Sequence, residues 1–347
     1  MKKWNFAGIV AVILLLSSLV LLGSFFVTEL TSALTGTGAE TTETQSSTTE
    51  ETTTEETTTE ETTVEETTTE ETTMLDIPPV EQDPYDENHT VSAAHAFVYD
   101  MAANQYLYEK GDRDQRIAPA SVTKLLTAYV ALQHLMPDTE LTVGSELSLI
   151  NKNSSVAGLK QEHRLTVEMC VQGMMMPSGN DAAYVLAVAA GRKISGENLG
   201  AQAALNTFMG EVNRIAQLSG MTNTHFTSPD GTDSSNHYTT PHDLMILAKL
   251  ALQNGVILKY TSVHKDDLVI TSGQTLKLKN SNLLLDPSSK YYEPRACGLK
   301  TGTTSKAGAC LLSAFRKGSS FIIVGTFGCP TDDARYEDTR YLYYSNR

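Results

Sequence analysis

The sequence predicts an α+β domain with one antiparallel sheet, and two observations carry that prediction. Strand-like runs stand at both ends of the region from residue 91 onward, and apolar-periodic helical segments fill the interval between them. In order, residues 94–99 and 105–109 read as a hairpin around Asp100-Met-Ala-Ala-Asn104. A helix follows from Pro119 to about Leu135, because Val122, Leu125, Leu126, Tyr129 and Val130 fall at i, i+3, i+4, i+7 and i+8. Residues 166–176 read as helix and stop before Pro177-Ser178-Gly179-Asn180, which places that stretch on a loop. Helices are expected again over 181–190, 201–219 and 240–253, the last capped near Thr240-Pro241. Strands over 297–301, 309–315 and 321–327 and a final helix over about 331–344 close the domain.

Composition divides the chain. The net charge is −15, yet residues 36–87 hold 17 Asp and Glu with no Lys or Arg, while residues 88–347 hold 23 acidic against 24 basic residues. The acidity therefore belongs to the tail, and no basic patch argues for nucleic acid. Lys2 and Lys3 precede residues 6–27, which are 22 residues without a charge. At about 1.5 Å per residue this run reaches roughly 33 Å, against about 30 Å for a hydrocarbon core. Residues 1–35 are read as an export segment, kept as a membrane anchor with the lysines on the cytoplasmic side; cleavage near Thr31-Ser32-Ala33 is the alternative. A Glu-Glu-Thr-Thr-Thr repeat dominates residues 36–90, which buries no core and reads as an extended, disordered linker. Residues 91–347 are the expected catalytic domain.

Three short motifs carry the chemistry. Ser121 sits in the first turn of its helix, where backbone N–H groups and the dipole favour a developing negative charge, and Lys124 projects from the same face. A serine hydroxyl needs a base, and a buried lysine serves once its pKa falls. Ser178-Gly179-Asn180 lies 57 residues after Ser121, and Lys300-Thr301-Gly302 lies 122 residues after Ser178. That order and spacing are those of the serine acyl-transferases that include penicillin-binding proteins and serine β-lactamases.

From about Ala94 onward the chain resembles the low-molecular-mass penicillin-binding proteins, specifically the serine-type D-alanyl-D-alanine carboxypeptidases of peptidase family S11. The residues that carry the resemblance are Pro119-Ala-Ser-Val-Thr-Lys124, Ser178-Gly-Asn-Asp-Ala-Ala183, Thr222-Asn-Thr-His-Phe226 with Pro229-Asp-Gly231, and Gly298-Leu-Lys-Thr-Gly302. The resemblance implies a transpeptidase-like fold, with an antiparallel sheet beside a helical subdomain. It implies Ser121 as nucleophile, Lys124 as its base, Ser178 as proton relay to the leaving amine, and Asn180 as holder of the substrate amide. Lys300 would support the charge network, Thr301 and Thr303 would meet the terminal carboxylate beside Gly302, and the amides of Ser121 and Thr303 would form the oxyanion hole. The implied substrates are peptidoglycan pentapeptide stems on the outer face of a bacterial membrane, with β-lactams as covalent inhibitors and no cofactor. Many members add a β-rich domain and a C-terminal amphipathic helix, whereas this sequence stops at Arg347, so residues 6–27 are the expected anchor.

Blander readings stand beside these. Asn180 and Asp181 could be only helix caps. His225, His237 and His242 lack a tight ligand pattern and predict no metal, and Asp230 and Asp233 read as a turn with too few ligands for calcium. Cys170, Cys297, Cys310 and Cys329 are read as buried thiols ahead of bridges. Met174-Met175-Met176 reads as core. A β-lactamase would place a glutamate to activate water, but Glu197 and Glu211 stand outside that pattern, and Glu211 is assigned to a solvated helix face. A silent muropeptide or β-lactam sensor should lack part of the constellation, which is complete here.

Overall fold

Burial decides where each strand sits. The computed structural model describes residues 88–347, so the expected anchor and nearly all of the linker lie outside the described residues. β1 (His95–Asp100) is buried at all six positions, whereas β2 (Gln105–Lys110), its hairpin partner, has no buried residue. An interior place for β1 and a rim place for β2 follow. The chain then runs through α1 (Lys124–His134), β3 (Glu140–Thr142), β4 (Arg164–Thr166), α2 (Val167–Met175), α3 (Asn180–Ser195) and α4 (Ala201–Leu218). It continues with α5 (Pro241–Gln253), α6 (Gly255–Thr261), β5 (Lys265–Val269) and β6 (Thr275–Lys279), and closes with β7 (Ala296–Thr304), β8 (Gly308–Lys317), β9 (Ser320–Cys329) and α7 (Asp332–Ser345).

The main sheet has the order β2-β1-β9-β8-β7, with every neighbouring pair antiparallel. The α+β expectation therefore holds, with the first hairpin and the last three strands joined in one sheet. Adjacent residues on the inner strands serve opposite faces, as the period of two requires. Leu311, Ile322 and Val324 pack with α7, where Phe315 stacks on Tyr343 at 4.0 Å between ring centroids. Leu312, Ile323, Phe97 and Phe327 join the larger core formed with the helices. Each fully buried Leu or Phe contributes roughly 1.5–3 kcal/mol, so both faces are committed.

In the helical part, α3 is buried at 11 of its 16 residues. Such a helix belongs inside the bundle, with its first residue, Asn180, at the edge of the core. Thr240 caps α5 as expected, its hydroxyl accepting from Asp243 N, with Pro241 in the first turn. Two expectations need correction. The serine-bearing helix is in two parts, a 3-10 turn over Ala120–Thr123 and then α1, and Asn180 opens α3 while Pro177, Ser178 and Gly179 remain on the loop. Two small ribbons, β3 with β4 and β5 with β6, and the short α6 have no counterpart in the sequence reading.

Candidate active site

The 3-10 turn that holds Ser121 is built around an unusual backbone. Ala120 has φ +48°, a left-handed conformation that costs a non-glycine residue about 1–3 kcal/mol and persists only where the surroundings enforce it. Two glycines make that possible. A Cβ on Gly231 would lie 1.8 Å from Ala120 O, and one on Gly302 would lie 2.9 Å from both Ala120 Cβ and Ser121 N. The Pro-Asp-Gly loop and strand β7 can thus close on the serine only because both residues lack side chains. A buried histidine adds support. Thr227 N–H donates to His237 Nδ1 (3.0 Å), leaving Nε2 to meet Thr123 Oγ1 (2.9 Å), which donates in turn to Ala120 O (2.9 Å). Burial pushes the His237 pKa down to about 4, so the imidazole stays neutral in this chain of bonds.

Lys124, the first residue of α1, is fully buried and its Nζ donates to Ser121 Oγ at 2.8 Å and to Asp230 O at 3.0 Å. Burial pushes its pKa down to about 8, against the attraction of Asp230 and Asp181. A neutral amine at this distance has a lone pair that can take the hydroxyl proton. Lys300 is also buried, and its Nζ donates to Thr301 O at 3.1 Å. Burial is the first cause of its lowered pKa, followed by repulsion from Lys124 and Arg335. Desolvation, more than mutual repulsion, therefore disfavours the charged form of both lysines.

Asp230 is the residue that sequence reasoning undervalued. It is 2% exposed, and its Oδ2 accepts from Asn180 Nδ2 at 2.6 Å and from Thr232 Oγ1 at 3.0 Å. Its backbone carbonyl also faces the serine, accepting from Ser121 Oγ at 3.3 Å. One residue thereby ties Ser121, Lys124 and Asn180 together. Committing Asn180 Nδ2 to Asp230 leaves the Asn180 carbonyl oxygen as the acceptor for a ligand N–H. The Pro229-Asp-Gly231 turn was legible, but the burial of its carboxylate was not.

Ser178 has φ +63° and is 8% exposed, next to Asn180 but without a bond to Ser121 or Lys124 among the described residues. Thr303 lines a cleft of about 360 Å³ together with Ser121, Asn180 and Asp230. Thr301 is not among the residues lining that cleft: it is buried, and its hydroxyl pairs with Ser281 Oγ at 2.6 Å. A second group missing from the sequence reading is Arg335 on α7, with its side chain 8% exposed. Its Nη1 donates to Gly302 O (3.2 Å) and Thr303 Oγ1 (2.9 Å). Thirty-three residues separate Gly302 from Arg335 in sequence, and no local pattern joins them.

Of the remaining candidates, Asp233 is among the residues lining the cleft, while the histidines, cysteines and glutamates are not. His225 bonds Asn236 O and His242 bonds the Tyr106 hydroxyl, so the three histidines serve separate contacts. All four cysteines are free and buried, as the thiol reading expects. Glu211 needs correction: its side chain is 11% exposed and is held by Arg214 Nε (2.7 Å) and His134 Nε2 (2.9 Å), tying α4 to α1. Neither Glu211 nor Glu197 lines the cleft.

Comparison with known proteins identifies the family. The family profile described as D-alanyl-D-alanine carboxypeptidase, peptidase S11, matches residues 81–331. The D-alanyl-D-alanine carboxypeptidase of Streptomyces sp. (strain K15) is 31% identical over 265 residues, covering 74% of this chain and 87% of the relative. DacF of Bacillus subtilis (strain 168), which carries the same enzyme name, is 29% identical over 258 residues, 72% of this chain; the match spans only 62% of DacF. Among solved structures, the Streptomyces K15 DD-transpeptidase superposes with TM-score 0.64 at 30% identity, covering 74% of this chain and 97% of that one. Penicillin-binding protein D2 of Listeria monocytogenes, in an ampicillin-bound form, gives TM-score 0.60 at 26% identity over 75% of this chain and 99% of its own. By its matched length and the order of its motifs, the chain belongs to the D-alanyl-D-alanine carboxypeptidase family, peptidase S11.

Proposed function

We propose that this protein is a serine D,D-carboxypeptidase that removes the terminal D-alanine from peptidoglycan pentapeptide stems. The observation that carries this reading is the 2.8 Å contact between Ser121 Oγ and the fully buried Lys124 Nζ, whose pKa is pushed down to about 8. Neutral Lys124 takes the hydroxyl proton as Oγ attacks the carbonyl carbon of the penultimate D-alanine. The oxyanion forms against the N–H groups of Ser121 and Thr303, where Gly302 lets β7 approach. The C–N bond then breaks, and the proton held by Lys124 passes through Ser178 to the departing amine, leaving an ester on Ser121. Water attacks that ester while Lys124 takes its proton, and Ser121 regains a proton as the shortened stem leaves. Asn180 accepts the stem amide N–H, Lys300 lends positive polarisation, and Thr303 with Arg335 receives the terminal carboxylate.

The same nucleophile accounts for covalent capture of β-lactams, and the absence of Glu197 and Glu211 from the cleft lining supports inhibition over rapid turnover. Residues 6–27 supply the attachment to a membrane, and residues 36–90 the span between it and the wall, on the extracytoplasmic side. The experiment is D-alanine release from a pentapeptide, followed by mass spectrometry, with the wild-type chain beside Ser121→Ala. Release by the first and none by the second is expected; release by both would place the nucleophile elsewhere.

A further inference from the structure

Beside Thr303, at the edge of the cleft, stands an acidic group of the protein itself. Asp332 Oδ1 lies 3.2 Å from Arg335 Nη2 and accepts from Thr303 Oγ1 at 3.2 Å, so one oxygen bridges the guanidinium and the threonine. These are the two groups assigned above to the substrate carboxylate. Arg335 needs such a counter-charge: its side chain is 8% exposed, and its Nε is buried without a hydrogen-bond partner among the described residues. Asp333, the next residue, shows what an acidic side chain does at this helix start without that role. It shares the first turn of α7, where a negative charge is favoured, yet it points to Lys290 at 3.6 Å and is 64% exposed.

We propose that Asp332 is a built-in stand-in for the substrate carboxylate and thereby a specificity-determining residue. It neutralises Arg335 while the cleft is empty and must be displaced when a free C-terminal carboxylate arrives. A peptide ending in a neutral group offers nothing that replaces the Asp332 charge on Arg335, so it leaves the ion pair in place. The cleft therefore selects chain ends that carry a carboxylate and disfavours amidated ends and internal peptide bonds. Its side chain, 65% exposed, has solvent into which to swing, whereas Arg335 is fixed on Gly302 O and Thr303 Oγ1.

This inference rests on the carboxypeptidase reading of the cleft, and its test separates the two. The full chain carrying Ser121→Ala binds without turnover, so equilibrium binding of an acetylated peptide ending in D-Ala-D-Ala, and of the same peptide as its C-terminal amide, can be measured by calorimetry. Adding Asp332→Asn should tighten binding of the acid by about two- to fivefold, the range an exposed ion pair commands, and leave the amide unchanged. Asp333→Asn removes the same charge one residue away and should leave both peptides unchanged. Should the asparagine chain fail to fold, Asp332→Ser, a residue suited to a first helical turn, repeats the measurement. Unchanged acid binding, an equal gain for the amide, or an equal gain from Asp333→Asn would overturn the stand-in role. Failure of the wild-type chain to release D-alanine would instead overturn the catalytic reading, without entering the binding comparison.

Discussion

The two walls of the cleft are prepared differently. On the helical wall, Ser121, Lys124, Asp230 and Asn180 are joined by direct hydrogen bonds. On the β7 wall, Lys300 bonds the carbonyl of its own neighbour, Thr301 bonds Ser281, and Thr303 is shared between Arg335 and Asp332. The groups proposed for bond-making are thus bonded to one another on one side, while the groups that would grip substrate on the other side bond to partners outside that set. Pre-assembly fixes orientation at no cost during reaction, which suits a nucleophile and its base. A displaceable Asp332, as proposed above, would suit binding groups that must release product.

The comparison makes graded predictions. Loss of the proposed nucleophile should be the most severe: Ser121→Ala should lower kcat by at least about 10⁴-fold and abolish labelling by a fluorescent penicillin, read on a gel. Next comes Lys124→Arg, which keeps a positive charge but cannot supply a free base in this range, so kcat/KM should fall by about 10³-fold. Activity within about tenfold of wild type would remove Lys124 from the base role. Asp230→Asn should cost less, about 10- to 100-fold in kcat/KM, because one amide oxygen replaces the two carboxylate oxygens that now accept from Asn180 Nδ2, Thr232 Oγ1 and Thr232 N. It should also move the pH profile in a definite direction. The Asp230 charge raises the Lys124 pKa against burial, so removing it should carry the rising limb to lower pH. A limb that moves upward would contradict the arrangement of the helical wall. The smallest effect is expected from the tail: deleting residues 37–73 should leave kcat/KM on a soluble peptide unchanged to within about twofold, while reducing action on intact wall.

The same contrast explains what could be read from sequence. On the helical wall Ser121 and Lys124 were legible because they are one turn apart and the apolar pattern after them marks α1. The turn type was not, since the left-handed Ala120 is enforced by Gly231 and Gly302 from distant parts of the chain. Asp230 looked like an ordinary turn residue because a Pro-Asp-Gly stretch has that form whether or not its carboxylate is buried. Glu211 looked solvated because helical periodicity reports a face, not the Arg214 and His134 that cover it. The β7 wall was readable only as far as its motif. Arg335, Asp332 and Ser281 reach it through the tertiary fold, and strand alternation does not reveal that Thr301 bonds Ser281 while Thr303 meets Arg335. The polar ribbon of β5 and β6 escaped notice because its charged residues hide a short alternation around Leu276 and Leu278.

The central claim is that Lys124 activates Ser121 as a neutral base, and stopped-flow acylation by a labelled penicillin across about pH 6 to pH 10 tests it most directly. Lys124 is deprotonated above its pKa of about 8, so the acylation rate should climb about tenfold per pH unit below that value and level off above it. In Lys124→Arg the climb should vanish along with most of the rate. A wild-type rate that is flat across the range, or a climb that persists in Lys124→Arg, would show that another group takes the proton from Ser121.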